Sequence, residues 1–198
     1  MKFINFFIFI LITFNSCNKK TPTQISELTP EYKLLTTFSD KIASKTGLVL
    51  SCYGINKNIS KDYPSKKGVA NFTVGYSLYK QRQNEISIHY ARNLLLSLTR
   101  NLLNEINSNT QVKSHLDVSP LTANLLDITI HFKDENKIDL GQGVSIVYFA
   151  NGKIKYKGYN IYEYTGQYPA HGKHFTIHEE TYEEAFNTLQ ESGEVALF

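Results

Sequence analysis

Apolar residues recur along this chain with two distinct periods, and the switches between them lay out most of an architecture. Leu34, Leu35, Phe38 and Ile42 fall three and four residues apart, which places them on one side of a helix. Thr29 can cap that helix, Pro30 suits its first position, and Glu31 complements its dipole. Gly47 stands where a helix C-terminus favours glycine. The apolar run Leu48-Val49-Leu50-Ser51-Cys52-Tyr53 then predicts a buried strand, and the lysine-rich stretch 56–67 a loop. Phe72, Val74, Tyr76 and Leu78 alternate with Asn71, Thr73, Gly75 and Ser77, the period of two of a half-buried strand.

A long helix is predicted over 84–107. Ala91, Leu94, Leu95, Leu98, Leu102 and Ile106 form its apolar stripe, with Arg92, Asn93, Arg100, Asn101 and Glu105 toward water. Leu126, Ile128, Ile130 and Phe132 alternate again as a strand. Gly141-Gln142-Gly143 breaks the chain before a strand over 144–150, and Asn151-Gly152 joins that strand to another over 153–164, a strong hairpin signal. Thr176 with Glu179 has the spacing of a capping box, so a last helix is expected from Thr176 to Gly193. The order predicts a two-layer α+β sandwich. Its sheet is mainly antiparallel with about five strands, and amphipathic helices cover one face.

The first twenty residues follow a different logic. Lys2 precedes a twelve-residue apolar run, Phe3 to Phe14, interrupted only by Asn5 and Thr13. A membrane-spanning helix needs roughly 20 apolar residues, so this run is too short to span but fits the apolar core of a signal peptide. Ser16 supplies the small residue at a cleavage site, and Cys17 with Asn18-Lys19-Lys20 follows the lipoprotein pattern, with Phe14 and Asn15 departing from its strict form. The expected organisation is a signal peptide at 1–16, a lipidated N-terminus and polar tether at 17–29, and one α+β domain at 30–198. The expected location is the cell envelope, anchored by lipid on Cys17 and facing the periplasm or the exterior.

Composition adds limits. The chain has 198 residues, of which 41% are hydrophobic and 20% charged, as in an ordinary globular domain. With Cys17 lipidated, Cys52 is the remaining cysteine, so the fold must rest on its core and not on crosslinks. Cys52 lies in an apolar run and reads as a small buried hydrophobe more readily than as a nucleophile. A net charge of +3 on scattered residues does not point to nucleic acid.

Two groups of residues carry candidate chemistry. His171, His174 and His178 lie within eight positions beside Glu179 and Glu180, the residue types of a zinc or copper site. On a helix, His174 and His178 would share a face, although the spacing matches no metalloprotease signature, and the bland alternative is a polar loop leading into a capped helix. The second group is Lys155, Lys157, Tyr159, Tyr162 and Tyr164, a row that suits stacking on sugar rings or contact with a protein or anionic polymer. Tyrosine is also a good strand residue, and lysines guard exposed strand edges, which is the alternative reading of this group. Asp127, Asp134, Glu135 and Asp139 read as turn and surface carboxylates.

Four stretches resemble a family of uncharacterised bacterial lipoproteins. They are Gly47-Leu48-Val49-Leu50-Ser51-Cys52-Tyr53-Gly54, Tyr90-Ala91-Arg92 with Asn104-Glu105-Ile106-Asn107, and Glu179-Glu180-Thr181-Tyr182-Glu183-Glu184-Ala185. The resemblance implies a signal peptide and an α+β domain and transfers no site residue. The leading expectation is a lipid-anchored envelope protein that binds or builds without catalysis, with no cofactor beyond the lipid and no nucleic-acid partner. Its partners would be the membrane, through the anchor, and an envelope polymer or protein. The alternatives are a metal-dependent envelope hydrolase using His171, His174 and His178, and a secreted host-interaction factor.

Overall fold

Two neighbouring strands that run parallel decide the topology. The computed structural model describes residues 29–57, 68–81, 84–161 and 172–193. Strand β2 (Val69–Tyr79) pairs in parallel with β3 (Leu126–Lys133), Phe72 opposite Leu126 and Tyr79 opposite Lys133. A parallel pair cannot be closed by a tight turn, and helix α2 (Ile88–Ser108), followed by the short α3 (Thr110–Lys113), makes the crossover. The other strands are β1 (Val49–Lys57), β4 (Ile146–Ala150), β5 (Lys153–Ile161) and β6 (Gly172–Thr181). They pair antiparallel in simple chain order, β1-β2-β3-β4-β5-β6. Helices α1 (Pro30–Thr46) and α4 (Tyr182–Glu191) open and close the described fold. The class is the expected α+β, with six strands instead of about five.

Helix ends follow the local chemistry in part. Gly47 takes the left-handed conformation, φ 75°, and donates its N–H to Ala43, closing α1. The Thr29 side chain makes no capping bond, and Glu31 is not solvated at the helix mouth. It is fully buried, with Oε1 2.6 Å from His115 Nδ1, which ties α1 to the end of the crossover. Helix α2 starts four residues later than expected because the Ser87 hydroxyl accepts the Tyr90 N–H at 3.1 Å.

The largest correction concerns 172–181. This segment is strand β6, and the last helix starts at Tyr182. A second Thr-x-x-Glu lies five residues beyond the first, and the chain uses that one. Thr181 Oγ1 accepts the Glu184 N–H while Glu184 Oε2 accepts the Thr181 N–H. Phe175-Thr176-Ile177 suits a strand, and pairing with β5 satisfies a whole ladder of backbone groups, which outweighs a single cap.

The core lies between the helices and one face of the sheet. Phe72, Val74, Tyr76, Ile128, Ile130, Phe132, Val147, Phe149, Ile154 and Tyr156 all point into it. Tyr76 carries a hydroxyl into this layer and meets Ser39 of α1 at 2.9 Å, and burial pushes its pKa up to about 12. Helix α2 packs on the sheet between α1 and α4, so part of its expected polar face is enclosed. Asn93 is buried, and Arg92 reaches β6, where Nε and Nη2 donate to the two oxygens of Glu180 at 2.8 and 2.9 Å. Tyr156 donates its hydroxyl to the same carboxylate at 2.5 Å. Burial and the adjacent Glu180 charge push the Tyr156 phenol up, so it remains a donor.

Both charged side chains of this pair are at most 11% exposed. Removing one partner strands a buried charge, at a cost of about 3–5 kcal/mol, whereas replacing both with apolar residues is often neutral. Urea unfolding of Arg92→Met should therefore show a loss of that order, and the double variant Arg92→Met with Glu180→Met should recover most of it.

Candidate functional site

Strand pairing sorts the polar residues onto the other face of the sheet. Asp127, Thr129 and His131 of β3 alternate with its buried residues, and Tyr148 of β4 lies opposite Thr129. On β5 the same face carries Lys153, Lys155, Lys157 and Tyr159, between Tyr148 on one side and residues of β6 on the other. Lys155 Nζ lies 3.2 Å from Glu179 Oε2. Both groups are about two-fifths exposed, so this pair orients more than it stabilises.

At one end of this face stands a carboxylate between two imidazoles. Asp139 comes from the connection between β3 and β4. There Asp134 Oδ1 accepts the N–H groups of Asn136 and Ile138, both at 2.9 Å, and turns the chain back. The Leu140 N–H then bonds to the Phe132 carbonyl, which fixes the neighbouring Asp139 beside β3. Asp139 Oδ2 meets His174 Nε2 at 2.9 Å, and Oδ1 faces His131 Nδ1 at 3.7 Å. That second separation is too long for a hydrogen bond, and both atoms are buried. The His174 ring also packs on Tyr159, with centroids 4.9 Å apart. Burial pushes the Asp139 carboxyl up, but His131, with Lys133 and His174, outweighs it and holds the group below its ordinary 3.8.

A bulge in β6 explains how His174 gets there. Tyr156 pairs with His178 while Lys157 pairs with Thr176, so Ile177 is skipped. On an uninterrupted strand His174 and His178 would share a face; the bulge moves them to opposite faces. Gly158 accommodates the shift, since a Cβ there would stand 2.6 Å from the Phe175 ring. His178 packs over Tyr156 on the helix side, with Nε2 3.6 Å from Glu180 Oε2.

The expected zinc trio is therefore not assembled from its described members. His174 and His178 diverge, and His171 lies outside the described residues. Among the described residues no group of three His, Cys, Asp or Glu side chains is placed to hold a metal ion. Of the lysine–tyrosine row, Lys155, Lys157 and Tyr159 do share one face, while Tyr162 and Tyr164 lie outside the described residues. Cys52 is half-buried on this polar face and not in the core, its sulfur lying where a side chain on Gly75 would stand. Sequence reasoning missed His131 and Tyr148, which strand alternation signals once the buried set is known. It also missed the role of Asp139, which depends on a loop path that no period encodes.

Chemically, the arrangement offers a row of ammonium groups, an exposed tyrosine ring on β4 and a carboxylate that is hydrogen-bonded to one imidazole and faces a second. Compared with family models, with curated proteins and with solved structures, the chain finds no match.

Because the folded Asp139 carboxyl titrates below its unfolded value, it stabilises the fold above about pH 4. That contribution is lost as pH falls through the folded pKa. Asp139→Asn should cost about 1 kcal/mol near neutrality. The gap between wild type and variant, read from denaturant unfolding, should shrink as the pH is lowered below about 4.

Proposed function

We propose that this chain is a lipid-anchored cell-envelope protein whose α+β domain works by binding, through the sheet face that the helices leave uncovered. The observation that carries the binding reading is the shared face itself. Lys153, Lys155, Lys157, Tyr148 and Tyr159 stand together on adjacent strands, held by backbone ladders and not by loops. Positions on strands keep fixed spacing, which favours recognition of an extended partner.

The anchor is supported by the Lys2 start, the short apolar run, and Ser16-Cys17 followed by polar residues. Among the described residues no helix is long and apolar enough to cross a membrane. Lipid on Cys17 would hold the domain at a bilayer, and the polar segment 17–29 would join it to α1 at Pro30. Placement in the envelope and the uncharacterised bacterial lipoprotein family belong to the same proposal.

Metabolic labelling with a fatty-acid analogue tests the anchor directly. Wild-type protein should take up label and partition with membranes, and Cys17→Ser should lose both. Equal labelling of the two forms would remove the anchor.

A further inference from the structure

We infer that the lysine row of β5, with Tyr148 beside it, is a binding site for an acidic polysaccharide lying along the strand. This deepens the binding reading above and rests on it. The bland explanation of strand lysines is that they guard an exposed edge against unwanted pairing. The topology removes that explanation, because β5 is an interior strand with β4 on one side and β6 on the other. Lys153, Lys155 and Lys157 have no edge to protect.

Their spacing has a direct consequence. Alternate residues of a strand stand about 6.6–6.8 Å apart on one face, so three lysines set out a line of positive charge about 13 Å long. The ion pair found on this row joins Lys155 to Glu179, and it is solvent-exposed and readily exchanged for a ligand anion. The other carboxylates of this face are occupied elsewhere. Asp127 accepts from Asn71 Nδ2 at 3.0 Å, and Asp139 is hydrogen-bonded to His174 at 2.9 Å.

Tyr148 turns a charged row into a sugar site. It lies directly opposite Lys155 in the neighbouring strand and remains 37% exposed, although the rest of β4 is buried. An exposed ring beside an ammonium group presents a stacking surface for the apolar side of a pyranose and a charge for its acid group. The exposed apolar side chains Phe175 and Ile177 gather over Gly158, whose neighbours in β5 put it on the helix side, so this row offers no apolar wedge for a bilayer.

The test uses the full chain in detergent micelles and measures binding by calorimetry at low salt. The probes are polygalacturonate, neutral dextran, long-chain polyphosphate, single-stranded DNA and vesicles containing anionic phospholipid. Polygalacturonate should bind and dextran should not, and affinity should fall as salt is raised. Replacing Lys153, Lys155 and Lys157 together with Gln should weaken polygalacturonate binding at least tenfold, and Tyr148→Thr should weaken it several-fold. Urea midpoints should stay close to wild type for both variants, which separates lost binding from lost folding.

Unchanged affinity in the triple variant, or no binding of polygalacturonate at all, overturns the site. Polyphosphate, DNA or vesicles bound as tightly as polygalacturonate and indifferent to Tyr148→Thr would show a general anion surface and overturn the sugar assignment. Fatty-acid labelling at Cys17 that persists while polygalacturonate fails sinks this inference alone, and the converse sinks only the anchor.

Discussion

The buried contact between Arg92 and Glu180 is the constraint on which the two faces of this sheet depend. A carboxylate cannot be taken out of water without partners, and here α2 supplies a bidentate guanidinium while β5 supplies the Tyr156 hydroxyl. Glu180 must therefore point toward the helices, which fixes the register of β6 against β5. A slip of one residue would send Glu180 to the solvent side, away from Arg92 and Tyr156. One buried pair thus sets which side chains of the outer strand belong to the core and which to the polar face.

That pair also shows where the sequence was readable and where it was not. The period-two runs through Phe72–Leu78 and Leu126–Phe132 are strands, and Leu94, Leu95, Leu98, Leu102 and Ile106 are the buried stripe of a helix. Each is a local signal repeated often enough to outweigh its neighbours. Arg92 looked solvated because local pattern reports the polarity of a residue and not the helix that packs beside it. The Thr176 cap failed for a related reason. Thr176–Glu179 and Thr181–Glu184 are the same motif, and the choice between them is made by β5, whose ladder needs a partner through Lys173–Thr181. Phe175 and Ile177, apolar and alternating, carried the strand signal that the cap obscured.

The candidate site divides along the same line. Lys155, Lys157 and Tyr159 could be grouped from sequence because they lie on one strand, where spacing alone fixes the face. Asp139 with His131 and His174 joins a connecting loop to two strands that are not neighbours. No spacing along the chain encodes that meeting. It requires the Asp134 turn, the Leu140 bond to β3 and the β6 bulge to act together. The bulge was invisible in advance, since the residues around Ile177 read equally well as regular strand.

The bulge reconciles two demands that a regular strand could not meet. Near Thr181, β6 must aim Glu180 into the core; near Gly172, it must aim His174 at Asp139 on the opposite face. These positions are six residues apart, an even number, so strict alternation would place both on one side. Skipping Ile177 changes the parity between them, and the absent side chain at Gly158 gives Phe175 room to settle on the helix side. Pairing this segment as a regular strand at its present length would make one end right only by making the other wrong. The ion pair would then compete with the imidazole cluster, and the buried charge, being the costlier to strand, would prevail. The polar face would lose Asp139's partner first, while the core beneath it stayed closed.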